Sequence, residues 1–97
     1  MIRCFQDQGS RDVFDGRDSR EARRLVPMTL WVVARRRLDQ LNRVSDVQDL
    51  RHPPGNHLER LRGDRAGWWS VRINNQHRIV FRWVEGGAED VGIVDYH

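Results

Sequence analysis

Three side chains that can move or orient protons lie next to one another in the sequence, Asp95, Tyr96 and His97. Imidazole suits proton transfer because its pKa lies close to the pH at which most enzymes work. A neighbouring carboxylate can orient the imidazole or accept a proton itself. Because terminal residues are often frayed, the same group is also compatible with a solvated tail.

A second group of candidates comes from two alternating segments, 68–74 and 77–84, which are typical of a β-hairpin. Their apolar residues must face the same way, because a slip of one residue would bury arginines. A three-residue loop meets this condition and sets Arg72 directly opposite Arg78, with Arg82 on the same face. Like charges placed opposite one another destabilise a sheet by roughly 0.2–1 kcal/mol.

The arginine cluster is open to two interpretations. An anion bound over this face would relieve the repulsion, and guanidinium groups match phosphate oxygens two at a time. Alternatively, Asp95 or Glu59 on a neighbouring strand neutralises the arginines. The spacing of the residues does not decide between an anion site and an internal ion pair.

The charge of the chain is unevenly distributed. All 17 basic residues are arginines, and seven of them lie in residues 51–84, whereas residues 85–97 carry four acids and no arginine. A basic block beside an acidic end suits an anionic ligand or an acidic partner. The single cysteine, Cys4, indicates a reducing, cytoplasmic setting and is expected in the core. No apolar run is long enough to cross a membrane, and no signal region is visible.

The 97 residues predict one domain of the α+β class, with N-terminal helices packed on one face of a twisted antiparallel sheet of four to five strands. Helices are expected within 10–16, 18–26 and 27–44, with Ser45 capping one further turn. Strands are expected at 1–5, 57–61, 68–74, 77–84 and 90–96.

The segment 27–44 is the strongest helix, because an apolar stripe runs along it from Leu30 to Leu41. Its three consecutive arginines, 35–37, cannot share one face of a helix. They predict either a solvated side or a contact with nucleic acid or a partner chain.

The stretch "DLRHPPGNHLERLRGDRAGWWSVRINNQHRIVFRW", followed by "DVGIVDYH", resembles the HigB-type toxins of the RelE/ParE superfamily. These are the killer proteins of plasmid-maintenance toxin–antitoxin systems. The N-terminal "MIRCF", the helix motif "RRLDQLN", the "PPGN" loop and the "LRGDRAG" turn fit as well. The resemblance covers most of the chain.

The resemblance implies a RelE-like fold and an endoribonuclease that cleaves messenger RNA at the A site of the translating ribosome without a metal or other cofactor. It implies a HigA-like helix-turn-helix antitoxin encoded just downstream. The toxin would reach operator DNA only indirectly, through that antitoxin.

The resemblance also assigns roles to individual residues. His97 becomes the general acid or base, Tyr96 stacks on a base or binds a phosphate, and Asp95 orients its neighbours. The implied catalytic set is completed by Arg78, Arg72 and Glu59, and the implied RNA-binding residues are Arg62 and Arg82.

One departure from the family pattern keeps other functions open. Several relatives carry a histidine where this chain has Glu59, so either Glu59 is the base or the residues at 95–97 carry the proton transfer. The alternatives are a ParE-like inhibitor of DNA gyrase and a non-toxic relative kept for antitoxin binding and promoter regulation. The four histidines and one cysteine have no metal-ligand spacing.

Overall fold

The computed structural model describes residues 1–95, which form three helices and a four-stranded antiparallel sheet. The helices are α1 (Gln8–Asp15), α2 (Arg20–Leu25) and α3 (Trp31–Arg43). The strands, in the order in which they pair, are β1 (Glu59–Arg60), β2 (Trp68–Arg72), β3 (His77–Val84) and β4 (Gly87–Asp95). The predicted α+β class is confirmed.

The two short helices begin and end at residues suited to those positions. The Asp7 side chain caps α1 by accepting from the backbone N–H of Ser10 at 2.7 Å, and α1 ends at Gly16 in the left-handed conformation, with φ 75°. The Ser19 hydroxyl caps α2. The helices within 10–16 and 18–26 are therefore confirmed, with α1 starting two residues earlier than expected.

A buried carboxylate ties α1 to α2. The Ser19 hydroxyl donates to Asp12 Oδ2 at 2.6 Å, and Gln8 Nε2 donates to Asp12 Oδ1 at 2.7 Å. These hydrogen bonds, the one from Ser19 foremost, hold the pKa of Asp12 below its ordinary value. A lowered carboxylate pKa stabilises the fold at neutral pH, and that contribution is lost as the pH falls through the folded-state pKa.

Helix α3 packs its apolar stripe onto the sheet. Ala34, Leu38 and Leu41 are fully buried, as the periodicity predicted. The first part of the expected helix forms a 3₁₀ turn at Met28–Leu30 instead, and the α-helix begins at Trp31. The turn that follows, Val47–Arg51, is capped by Asp46 and not by Ser45. Both differences concern helix ends, where local hydrogen bonds decide the boundary.

The N-terminal segment differs most from expectation. Residues 1–5 form two isolated parallel bridges to β4, Ile2 with Ala88 and Phe5 with Val91, and not a continuous strand of the sheet. Cys4, which was expected in the core, is exposed. Its Sγ lies 3.2 Å from the backbone nitrogen of Asp90. Within residues 1–95, no helix is long and apolar enough to cross a membrane.

Candidate active site

The hairpin of β2 and β3 has the predicted register. Val71 pairs with Ile79 on the core face, and Arg72 pairs with Arg78 on the other face. The second face is not fully solvated, since Ser70, Val80 and Arg78 are buried there. The arginine pair inferred from alternation is therefore real, and one of its members is enclosed by protein.

Arg78 is held from three sides. Its Nε donates to Ser70 Oγ at 2.9 Å, and its Nη2 donates to the backbone carbonyl of His57 at 2.6 Å. Its Nη1 lies 3.4 Å from Glu59 Oε1, in an ion pair with the arginine side chain 11% exposed and the glutamate side chain 54% exposed. A buried guanidinium is tolerated only where such partners offset the loss of water. The contacts fix the plane and position of this cation.

Beside Arg78 there is an open cavity of about 260 Å³. Arg72 also borders it and donates to Asn75 Oδ1. Two guanidiniums and one carboxylate thus face the same small space, which is lined by His57, Glu59, Arg72, Asn74, Asn75 and Arg78. An arrangement of this kind suits an oxyanion such as a phosphate.

The carbonyl that binds Arg78 depends on an unusual loop. His57 has φ 43°, a left-handed conformation that non-glycine residues rarely adopt. The preceding residue, Asn56, is fully buried, and its Nδ2 lies 2.9 Å from Gln40 Oε1 and 3.0 Å from the carbonyl of Leu50. Asn56 Oδ1 has no hydrogen-bond partner among the described residues. Asn56 therefore anchors the loop from which the His57 carbonyl reaches Arg78.

We expect Asn56→Ala to lower the free energy of unfolding by about 2–4 kcal/mol, because the buried Leu50 carbonyl and the partly buried acceptors of Gln40 and His52 lose their donor and a cavity opens. Urea unfolding followed by circular dichroism measures the change. Asn42→Ala is the control, since the side chain of the exposed Asn42 accepts one hydrogen bond, from the backbone N–H of Ile2. Equal losses in the two variants would contradict the role given to Asn56.

The two arginines expected to bind RNA lie apart from this cavity. Arg62 borders a second space of about 330 Å³ together with Leu61, Arg65, Val94 and Asp95. Arg82 forms two ion pairs, with Asp90 Oδ2 at 3.0 Å and Glu89 Oε1 at 3.1 Å. Acids on β4 thus neutralise Arg82, whereas Glu59 neutralises Arg78, as one interpretation of the sequence allowed.

Strand β4 places Asp95, the last acidic residue of the sequence, beside the end of β3 that carries Arg78. Asp95 pairs with His77, next to the pair formed by Arg78 and Val94, and its Oδ2 accepts from Gln76 Nε2 at 3.0 Å. His77 itself is buried at the edge of the sheet. The predicted residues Tyr96 and His97 lie outside the described residues. Among residues 1–95, no group of three or more histidine, cysteine or acidic side chains is arranged to hold a metal ion.

Comparison with known sequences decides the family. The sequence model of the family described as "RelE-like toxin of type II toxin-antitoxin system HigB" matches residues 3–97. The chain belongs to the HigB-like toxin family. A type II toxin is paired with an antitoxin, so an antitoxin partner follows from membership in this family.

Individual relatives agree with membership of the HigB-like family. The chain is 43% identical over 65 residues to Toxin HigB-1 of Vibrio cholerae, covering 67% of this chain and 68% of that protein. It is 28% identical over 102 residues to the Endoribonuclease HigB of Proteus vulgaris, covering all of both proteins.

Solved structures support the fold of this HigB-like toxin. A YoeB/ParE toxin from Agrobacterium tumefaciens superposes with a TM-score of 0.52 at 19% identity, over 99% of this chain and 100% of that one. A chain of the heterotetrameric YoeB-YefM toxin-antitoxin complex from Staphylococcus aureus gives 0.53 at 13% identity, over 100% of this chain and 98% of that one. The RelE-like fold expected from the resemblance is confirmed.

Two contributors to the arginine site of this HigB-like toxin were missed by sequence reasoning. Ser70 lies on the same strand face as Arg72, a position that alternation does reveal, but a lone serine carries no signal of a contact with Arg78. The His57 carbonyl is a backbone group, and only the path of the loop brings it to the arginine.

Proposed function

We propose that this HigB-like toxin is a metal-independent endoribonuclease that cleaves messenger RNA on the ribosome and so inhibits translation. The observation that carries the proposal is the anchored guanidinium of Arg78 beside Arg72 at the 260 Å³ cavity. The name of the Proteus vulgaris relative, Endoribonuclease HigB, supports the same activity.

In the proposed reaction the 2′-OH of the RNA attacks the adjacent phosphorus. A base removes the 2′-OH proton as the P–O2′ bond forms, and an acid protonates the 5′ oxygen as the P–O5′ bond breaks. The products are a 2′,3′-cyclic phosphate and a 5′-OH end. Arg78 and Arg72 stabilise the extra negative charge on the phosphate in the transition state.

The proton-transfer groups are assigned by chemistry and by family resemblance. His97 is the proposed general acid or base, Asp95 orients it, and Tyr96 stacks on a base or hydrogen-bonds the phosphate. Glu59 borders the same cavity as the two arginines, so a carboxylate is also available to accept the 2′-OH proton. Arg62 and Arg82 are proposed to contact RNA outside the cavity.

Membership in a toxin-antitoxin family and a complex that contains a structurally similar chain support the proposed partners. We propose a HigA-like helix-turn-helix antitoxin, which would carry the toxin to operator DNA. The YoeB-YefM structure is a heterotetrameric toxin-antitoxin complex that contains a chain of this fold.

The test is induction of the toxin without antitoxin, followed by mapping of transcript 5′ ends and of their chemistry. We expect new 5′-OH ends inside translated reading frames and few in untranslated RNA, because cleavage requires a translating ribosome. Growth arrest with inhibited DNA gyrase and intact transcripts would instead favour the ParE-like alternative. Absence of growth arrest would favour a non-toxic relative.

A further inference from the structure

A second basic surface lies on helix α3, outside the candidate active site. An open groove of about 610 Å³ runs between α3 and the loop at Pro53. Three of its lining side chains are guanidiniums and one is a carboxylate; the residues are Arg36, Arg37, Asp39, Gln40, Arg43 and Pro53. None of these described lining residues is aromatic, so among them the groove offers no aromatic ring on which a base could stack.

The side chains of the three consecutive arginines of α3 lie on two different parts of the surface. The Arg35 guanidinium packs against Gly16 at the end of α1, where a Cβ built on Gly16 would lie 3.1 Å from it. Arg36 and Arg37 instead border the groove, joined by Arg43 from the last turn of the helix. The helix therefore concentrates three positive charges on the groove.

These charges are poorly neutralised within the protein. Among residues 1–95, Arg36, Arg37 and Arg43 form no salt bridge, and Asp39 is the one acid that lines the groove. Partial burial, and then the charge of Arg36, lower the pKa of Arg37. An unoccupied groove thus carries repulsion that an anion would relieve.

Arg37 also connects the groove to the candidate active site. Its Nε donates to the backbone carbonyl of Arg72 at 3.2 Å, while the Arg72 side chain borders the 260 Å³ cavity. One hydrogen bond therefore links a side chain that lines the groove to a residue that lines the cavity. A ligand with regularly spaced negative charges fits this arrangement better than a single small anion.

We infer that the α3 groove binds the phosphodiester backbone of RNA at a second site, separate from the phosphate that is cleaved. The inference rests on the proposed action on RNA and adds a binding site to it. Planar guanidiniums pair with phosphate oxygens in two hydrogen bonds, and contacts to phosphates are independent of base identity. Two sources have this chemistry, the substrate strand and ribosomal RNA.

The test measures binding separately from cleavage. An RNA of about twenty nucleotides with every 2′-OH methylated cannot supply the nucleophile, and its affinity is measured by fluorescence anisotropy at several salt concentrations. We expect Arg36→Ala combined with Arg43→Ala to lower the slope of log Kobs against log salt by about 1.4, at about 0.7 for each phosphate contact on a single strand. Asp39→Asn should change affinity in the opposite direction and strengthen binding.

The matched control is Arg20→Ala combined with Arg24→Ala. Both arginines are exposed on α2 and, within residues 1–95, form no salt bridge. Replacing them removes the same amount of charge as replacing Arg36 and Arg43. If the wild-type toxin binds the free RNA and ribosomes, and the two double variants have equal slopes on both ligands, the groove is not an RNA site, and the proposed endoribonuclease is untouched. Failure of the wild-type toxin to cleave RNA on ribosomes would instead overturn the proposed function.

The same titration on purified ribosomes separates the two sources. If the double variant of Arg36 and Arg43 has a lower salt slope with the free RNA, the groove binds the substrate strand. If its salt slope is lower only with ribosomes, the groove binds ribosomal RNA. Loss of antitoxin affinity with unchanged slopes on both ligands would overturn the inference, because the groove would then hold an acidic protein segment.

Discussion

Arg78→Ala is expected to lower the rate of RNA cleavage by about 10²–10³-fold, the loss typical when one preorganised donor to a transition-state oxyanion is removed. Arg78 is fixed by Ser70, the His57 carbonyl and Glu59, so its charge needs no rearrangement during the reaction. Lysine cannot make these contacts with a single ammonium group, and we expect Arg78→Lys to recover little activity. Single-turnover cleavage of messenger RNA on ribosomes measures both variants.

The control for Arg78 is Arg60→Ala. Arg60 is exposed on β1 and lies over the ring of Trp69 at 5.7 Å, on the other side of the strand from Glu59. The Arg60→Ala substitution removes the same charge, and Arg60 does not line the cavity. Because Arg78 is buried, antitoxin affinity and urea unfolding must show that each variant is folded. A folded Arg78→Ala toxin with wild-type cleavage would exclude this guanidinium from the site.

His97→Ala is expected to lower the cleavage rate by about 10²–10⁴-fold, the usual contribution of a general acid or base. An imidazole has an ordinary pKa of about 6.5. The dependence of the rate on pH in that region should therefore disappear in the variant. A pH–rate profile under single-turnover conditions tests this, with His52→Ala as the control because His52 is exposed in the proline-rich loop.

A second outcome would reassign the proton transfer. If His97→Ala keeps both the rate and the pH profile of the wild-type toxin, the imidazole takes no part in the reaction. Glu59→Gln then becomes the informative variant, since Glu59 is the carboxylate at the cavity. A strong loss in Glu59→Gln alone would place the base on β1.

The hairpin of β2 and β3 was predictable from sequence to the level of individual residue pairs. Strict alternation in 68–74 and 77–84 allowed one register, and that register places Arg72 opposite Arg78. The 1–5 segment was harder, because its apolar residues show alternation whether or not a neighbouring strand offers a continuous ladder. Its pairing depends on β4, more than 80 residues away, and is limited to two bridges.

The candidate site was predictable in its charged residues and not in their supports. Arg78 and Glu59 were both identified, and the structure joins them in one ion pair. The left-handed conformation of His57 could not be predicted from the sequence, because histidine adopts it in only a small minority of cases and the buried Asn56 anchors the loop. Arg62 was assigned by family resemblance, and its position in a separate cavity follows from the fold of the turn after β1.

One edge of the sheet, along β4, is occupied by other parts of the chain. Residues 1–6 run beside β4, and the Cys4 carbonyl accepts from the backbone N–H of Val91 at 3.1 Å. Beyond that segment the hydroxyl of Ser10 accepts from the backbone N–H of Ile93 at 2.9 Å. The backbone groups that would attract another strand are already bonded at these positions.

The opposite edge is blunted in a different way. Strand β1 is two residues long, and past its end the outward carbonyl of Arg72 is taken by the side chain of Arg37. The described part of the sheet therefore offers no long open edge for self-association into extended sheets. Among residues 1–95 strand addition would find only the two-residue β1 as an open ladder, so we expect an antitoxin segment to be recognised mainly through side chains on a face of the domain.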